Sequence, residues 1–398
     1  MHLKSTKNDE NELFQLAGRT CFRYAQHTIT STLSSFMTEE KIKEKYFEYL
    51  LPLVSEAQTV HSGSNLFQKF PSETAFWYQL NKFQSMDNLI AWAQEALKQS
   101  LLKTLDRSKK YILAIDETND PYYGTDIREN AYVIGGKRKK STNYFFQYIA
   151  ISIVKGNERF VLAVIPVQLN TPRVDLVKQL LEMIQPLSIR ITAVFLDRGF
   201  YSKAVIKYLQ ENRIPFAMPA RLHSKNLQAC VSSCKKQTQW QQKLWHNGQA
   251  RVKGGNYVEV TMGVYVQQIP KDDVEKRKKY QDDKIRFVYV YWGLDSWSLK
   301  KIHTEYRHRF EIEAKFRIRN EMRPRTSTRK AEIRYLFTVI SFILENIWVA
   351  LQIKHFIPRK PGPKKIKEDA FRLSSFLSLL NFYLFKKFKA RTKLETLR

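Results

Sequence analysis

Two aspartates each close a short apolar run. Asp116 ends Tyr111-Ile-Leu-Ala-Ile-Asp116, and Asp197 ends Ile191-Thr-Ala-Val-Phe-Leu-Asp197. If these runs are neighbouring parallel strands, both carboxylates emerge at the C-terminal edge of the sheet, where α/β folds put their sites. Two close carboxylates repel unless a cation neutralises them. Mg2+ prefers oxygen ligands and keeps waters for substrate phosphates. Two such ions about 3.5–4 Å apart would clamp the attacking and leaving oxygens of an in-line phosphodiester displacement. Aspartate after a strand is also a common turn former or helix cap. Asp197 could simply serve Arg198-Gly199.

A third carboxylate lies on a helical segment, Tyr306-Arg-His-Arg-Phe-Glu-Ile-Glu313. Tyr306, Arg309 and Glu313 are spaced three and then four residues apart, which puts them on one helical face. Glu311 falls off that face. A guanidinium beside a carboxylate suits phosphate, which arginine grips bidentately. The alternative is a solvated face with an Arg309–Glu313 pair.

The elements that must position these residues read as follows. Residues 1–105 are helical, with apolar positions at helical spacing from Thr74 to Phe83 and from Leu89 to Leu97. Pro71-Ser72 is a helix start. Strands follow at 111–116, 143–154 and 159–167, the last two joined by a hairpin turn at Lys155-Gly156-Asn157. A helix from Thr171-Pro172 to Ile184, a strand at 191–197, a helix from Ser202 to Asn212 and a strand at 214–218 complete the series. A hairpin-led sheet followed by crossovers is a mixed α/β layer fold, in the order of the RNase H-like fold. Residues 221–283 break the alternation and read as an inserted β-rich subdomain, with strands at 257–260 and 264–267. The core resumes over 284–353 with a strand, one long helix from Ser298 to Met322, and an apolar helix from Thr328 to Ile353. Residues 354–398 read as a basic tail, with 13 Lys and Arg against 3 acids.

Lys and Arg number 67 against 38 acids, a net charge of +29. Such an excess calls for a polyanionic partner. Nucleic acid fits, because each neutralised phosphate releases counterions; an anionic membrane surface is the rival. The most apolar stretch, Tyr335 to Ile353, carries Glu345, Asn346 and Gln352 and makes a poor membrane span. The first residues lack an apolar run of signal-peptide type. Three cysteines make no disulfide framework and point to a reducing compartment.

At its acidic blocks the chain resembles the DDE transposases of prokaryotic insertion sequences, in the cut-and-paste group with a Tyr-x2-Arg-x3-Glu-x6-Lys motif. AIDETNDPYYG, with Asp116, resembles the first block and FLDRGFYS, with Asp197, the second. YRHRFEIE matches Tyr306, Arg309 and Glu313. The resemblance spans about residues 105 to 350. It implies an RNase H-like core and two Mg2+ ions, with Mn2+ as a substitute, held by Asp116, Asp197 and Glu313. It also implies DNA contacts from Tyr306 and Arg309. The partners implied are the terminal inverted repeats of an element and a target duplex, acted on by a homodimer in the nucleoid of a prokaryotic cytoplasm. The motif's lysine position is Asn320; Arg317, Arg319 and Arg323 are the nearby replacements for its cation.

Lys137-Arg138-Lys139-Lys140, in an expected turn between the first two strands, is a further DNA-backbone candidate. Cys230 and Cys234 read more simply as reduced cysteines than as half of a zinc site with His223 and His246. Trp240 and Trp245 suit a core role, or a stack on an unpaired base. Two other readings remain open: a non-catalytic DNA-binding protein derived from a transposase, and a nuclease with the same core.

Overall fold

Helices, a long mixed sheet and a second set of helices follow one another along the chain. The computed structural model describes residues 7–36, 42–43, 45–125, 127, 129–139, 141–222, 224–245, 257–270, 275, 283–356 and 371–391. The first helices are α1 (Lys7–Gln26), α2 (Thr32–Phe36), α3 (Lys45–Glu48), α4 (Leu50–Ser55), α5 (Val60–Leu66), α6 (Glu73–Leu80) and α7 (Met86–Ser100). The serine signals work as caps: Ser72 accepts from the Ala75 amide and Ser85 from the Asn88 amide. The expected stripe on α7 is buried, and the Trp92 indole N–H donates to Thr32 Oγ1 at 2.8 Å.

The strands are β1 (Lys110–Pro121), β2 (Val133–Lys139), β3 (Thr142–Ile153), β4 (Val161–Pro166), β5 (Arg190–Leu196), β6 (Phe216–Pro219), β7 (Thr238–Trp245), β8 (Tyr257–Gln268) and β9 (Lys284–Trp292). They form one sheet in the order β2-β3-β1-β5-β6-β9-β8-β7, with β4 sharing the outer edge of β3 with β2. β1, β5 and β6 are parallel and β3 is antiparallel to β1. The helices α8 (Arg173–Ile184) and α9 (Lys203–Glu211) are the crossovers between the parallel strands. This is the RNase H-like arrangement.

Strands β7 and β8 do not build a separate sheet. They continue the core sheet, because β9 pairs antiparallel with β6 and β8 with β9. The two short strands expected at 257–260 and 264–267 are one strand, β8, which passes straight through Gly263. A side chain at Gly263 would collide with Leu299, so the glycine marks a close helix approach, not a turn. A helix, α10 (Lys225–Ser233), precedes β7.

The long helix expected from Ser298 is two helices, α11 (Leu299–Arg307) and α12 (Phe310–Met322), broken at His308-Arg309. Next comes α13 (Ala331–Phe356), long and apolar enough to cross a membrane but buried among the other elements over most of its length. Several of its polar groups have protein partners. The Asn346 amide bonds both the N–H and the carbonyl of Val161, Glu345 pairs with Lys315 at 3.0 Å, and the Tyr335 hydroxyl donates to Val164 O at 2.8 Å. A buried helix satisfied in this way belongs to a core.

Residues 371–391 are not a solvated tail. They form α14 (Leu373–Phe388), which lies along α1 and α4 and buries Phe376, Leu380, Leu384 and Phe388. Contact with α1 depends on Gly18, where any Cβ would run into the Leu379 carbonyl. Beyond the helix, Lys389 O accepts from the Gln68 amide at 3.0 Å, and the Arg391 amide donates to Leu66 O at 2.9 Å.

Candidate active site

The parallel pairing of β1 with β5 closes at Ile115 opposite Leu196. Asp116 and Asp197 are the next residues on the two strands. They therefore leave the sheet at the same edge. Asp116 is not the end of its strand: β1 runs on to Pro121 against β3, with Asp116 opposite Ala150. Asp197 caps a single 3-10 turn, Arg198–Phe200, and accepts weakly from the Gly199 amide at 3.5 Å. The Arg221 guanidinium holds that turn by donating to Arg198 O at 3.1 Å. The capping and site readings of Asp197 are thus compatible.

Helix α11 is anchored under this edge. The Tyr306 hydroxyl donates to Leu196 O at 3.0 Å, and its ring packs on Phe195 and Tyr289. The break after Arg307 puts Arg309 at the junction of the two helices, directly over the acids. One guanidinium then meets three carboxylates. Arg309 Nη1 donates to Asp116 Oδ2. Nη2 donates to Glu313 Oε1 at 3.1 Å and lies 3.8 Å from Asp197 Oδ1.

The acids are graded in depth. The Asp116 side chain is 9% exposed, Asp197 38% and Glu313 50%. Burial pushes the Asp116 carboxyl up to about 6, with the neighbouring Asp197 and Glu313 charges adding to the rise. Arg309 and the Glu117 amide work the other way. Three carboxylates around one guanidinium leave this point negative in a chain of net charge +29. The donors are all hard oxygens, the set that suits Mg2+ or Mn2+. As they stand they converge on Arg309, and among the described residues no three acidic, histidine or cysteine side chains close on a common cation position.

Other expected contact residues are distributed differently. Tyr306 is buried and its hydroxyl is committed to the backbone, so it supports the site from below and offers nothing to a ligand. Arg319 is also buried. It bonds Asp120 Oδ1 at 2.9 Å, and Arg323 completes the pair from the other side. Burial alone would raise the Asp120 carboxyl, but Arg319, Arg323 and Arg334 outweigh it and hold it below its ordinary value. Arg319 therefore supplies internal charge, not a surface contact. Arg317 and Asn320 are exposed on α12, on the open side with Glu313. Lys137 and Arg138 are exposed on β2, a strand and not the expected turn. Lys139 lies at its end with its side chain outside the described residues, as is all of Lys140.

A cavity of about 920 Å3 opens beside Asp197. Arg198, Arg221, Arg286 and Arg307 line it together with Phe287, Tyr289 and His303. Sequence reasoning did not assemble these arginines, which come from four separate elements. Only Arg198 and Arg307 had a signal, their places inside the FLDRGFYS and YRHRFEIE blocks. Cys234 is buried and Cys230 exposed; His223 and His246 lie outside the described residues. Trp240 packs partly buried against Val231 and Cys234, and the side chain of Trp245 lies outside the described residues.

The transposase DDE domain family matches residues 107–346, the span that holds all three acids. The chain belongs to that family. Members of the DDE transposase family use divalent metal ions. Among solved structures, the DDE fold seen here is similar to a piggyBac transposase in a synaptic complex with hairpin DNA. The TM-score is 0.53 and the identity 13%, over 95% of this chain and 83% of that one. No curated protein matches the chain.

Proposed function

We propose that the chain is a DNA transposase that cleaves the ends of a mobile element and joins them to a target duplex, by hydrolysis and then transesterification of phosphodiesters. The observation that carries this reading is the meeting of Asp116, Asp197 and Glu313, from three separate elements, around Arg309. Asp116, Asp197 and Glu313 would hold divalent cations, Mg2+ or Mn2+. Bound there, such ions activate a nucleophilic oxygen and stabilise the leaving one.

The chain's own residues do the rest. Asp116 must be ionised to act as a ligand, and its burial opposes ionisation. Arg309 must yield part of its bonding for a cation to enter, and its guanidinium is then available to a phosphate oxygen beside the acids. Tyr306 fixes α11 against Leu196 and so fixes where Arg309 and Glu313 stand. The arginine-lined cavity beside Asp197 receives backbone phosphates and aligns the strand for attack. The structural relative is a transposase in a synaptic complex with hairpin DNA, which supports action on DNA ends, and two ends held together call for a homodimer. The Tyr-Arg-Glu-Lys group of insertion-sequence enzymes remains the best subgroup, with Asn320 in the lysine position. A nucleoid location in a prokaryotic cytoplasm goes with that reading.

The test is Asp197→Ala assayed on duplexes carrying the element's own inverted repeats with Mg2+ or Mn2+. Cleavage and joining should both vanish while duplex binding persists. Unchanged cleavage would overturn the assignment, and cleavage by the native chain without joining would leave a nuclease.

A further inference from the structure

Past Asp116, β1 carries a second charged cluster on the same face. Side chains alternate along a strand, so Asp116, Thr118 and Asp120 point the same way. Asp120 is one carboxylate among three guanidiniums, those of Arg319, Arg323 and Arg334. Both Asp120 and Arg319 are 1% exposed. Arg319 Nε and Nη1 are buried with no hydrogen-bond partner. The cluster therefore holds a buried excess of positive charge, which calls for a further anion.

That excess backs onto a cavity of about 480 Å3. One wall is the loop that joins α12 to α13, Arg323-Pro-Arg-Thr-Ser-Thr-Arg-Lys330. The loop is built to keep its shape. The Arg334 guanidinium donates to Thr328 O at 2.7 Å and Thr326 O at 3.3 Å, and stacks on the Phe146 ring. The Arg325 amide donates to Gln58 O at 3.1 Å, and Asn130 Nδ2 to Arg329 O at 3.1 Å. Held in this way, the loop turns Arg325, Ser327 and Arg329 outward. Tyr123, 65% exposed, forms the opposite wall. Among the described lining residues there is no acid.

The geometry points to a second DNA clamp. This cavity takes phosphodiester groups of the duplex whose reacting phosphate lies at the three acids, an inference that rests on the proposed DNA-joining activity. Guanidinium forks, a serine hydroxyl and a phenol are donors that match phosphate oxygens. The path along β1 from Asp116 to Pro121 is about 17 Å at about 3.4 Å per residue. That is the axial length of about five base pairs at about 3.4 Å each. One rigid strand thus links the reacting phosphate to a grip about half a helical turn away.

The experiment uses the full chain with Arg325→Ala and Arg329→Ala combined. Binding to a 40-base-pair duplex is followed by anisotropy across a salt series. Each lost phosphate contact lowers the slope of log affinity against log salt by about 0.9, so the double variant should lose about 1.8. Arg325→Lys with Arg329→Lys should restore the slope. Arms with a terminal-repeat duplex, an unrelated duplex and a strand-transfer assay assign the grip to element end or target; a loss in any arm supports it. An unchanged slope in a variant with native circular dichroism overturns the clamp alone, as does failure of the lysine pair to rescue. Saturable binding of inorganic phosphate with an unchanged DNA slope reduces the cavity to an ion site and also overturns it. A native chain that binds no duplex removes the DNA-joining reading as well.

Discussion

Asp116 and Asp197 are the residues next after Ile115 and Leu196, the last pair of the parallel pairing between β1 and β5. Their proximity is a property of the sheet, not of loops. The site is rigid where it is deepest and opens toward Glu313 on its helix. Substitution of Asp197, the more exposed of the two, should therefore act on chemistry and leave the fold intact. Asp197→Asn is expected to lower Mg2+-dependent cleavage by about 1,000-fold or more, within the range of losses from single catalytic groups. Its thermal midpoint should stay within a few degrees of the native value. Single-turnover cleavage and a melting curve on the same preparation check both halves.

Arg309 is the sole cation that touches all three acids among the described residues. Arg309→Ala should destabilise the metal-free protein by about 3 kcal/mol at pH 7.5, the scale for orphaning a buried charge. The loss should shrink at pH 5, where Asp116 is neutral. The stabilisation conferred by saturating Mg2+ should exceed that of the native chain, because the cation no longer competes with the guanidinium. Denaturant midpoints with and without Mg2+ at the two pH values give the comparison; equal Mg2+ effects in both proteins would reject it.

Cation affinity should depend on pH through Asp116. Its carboxyl is raised from 3.8 to about 6. A raised acid favours its protonated form in the fold, so its contribution to stability is complete below about 3.8 and is lost as pH rises through about 6. A bound cation requires the ionised form and opposes that loss. Apparent Mn2+ affinity should fall about tenfold per unit below pH 6 and level off above pH 7. Mn2+ titration followed by electron paramagnetic resonance measures this, and a flat profile from pH 5 to 7 would contradict it.

Asp120 should behave in the opposite sense. Its carboxyl is held below its ordinary value, so its stabilisation is present above about 3.8 and is lost only as pH falls further. Asp120→Asn leaves Arg319 buried with no anion and should cost about 3–5 kcal/mol at neutral pH. Urea unfolding at pH 7 and at pH 3.5 should show the deficit narrowing in acid.

Much of this site was legible in the sequence because apolar runs that close on an aspartate announce themselves, although β1 runs on past Asp116. Glu313 was legible by its spacing from Arg309. The break between α11 and α12 was not, because the helical period continues through it undisturbed. Tyr306 and Arg319 looked like ligand contacts because a phenol and a guanidinium carry no sign of burial. Their partners, Leu196 O and Asp120, are more than a hundred residues away. Strand β2 was obscured by its Gly-Gly-Lys-Arg-Lys composition. Helix α14 was hidden by the basic residues around it, although Leu373, Phe376, Leu380 and Leu384 keep a helical period.

The contact of α14 with α1 also orders events during synthesis. The helices at the two ends of the described chain share one core, with the whole sheet threaded between them. The strands β1 to β6 can pair while the chain is still being made, but the first helices lack their partner until residue 391 has emerged. A chain stopped short of α14 carries every acid of the site and yet exposes the apolar face of α1. Such a fragment is prone to aggregation before it can compete for DNA. Dependence on α14 thus makes synthesis through residue 391 a condition for closing this core.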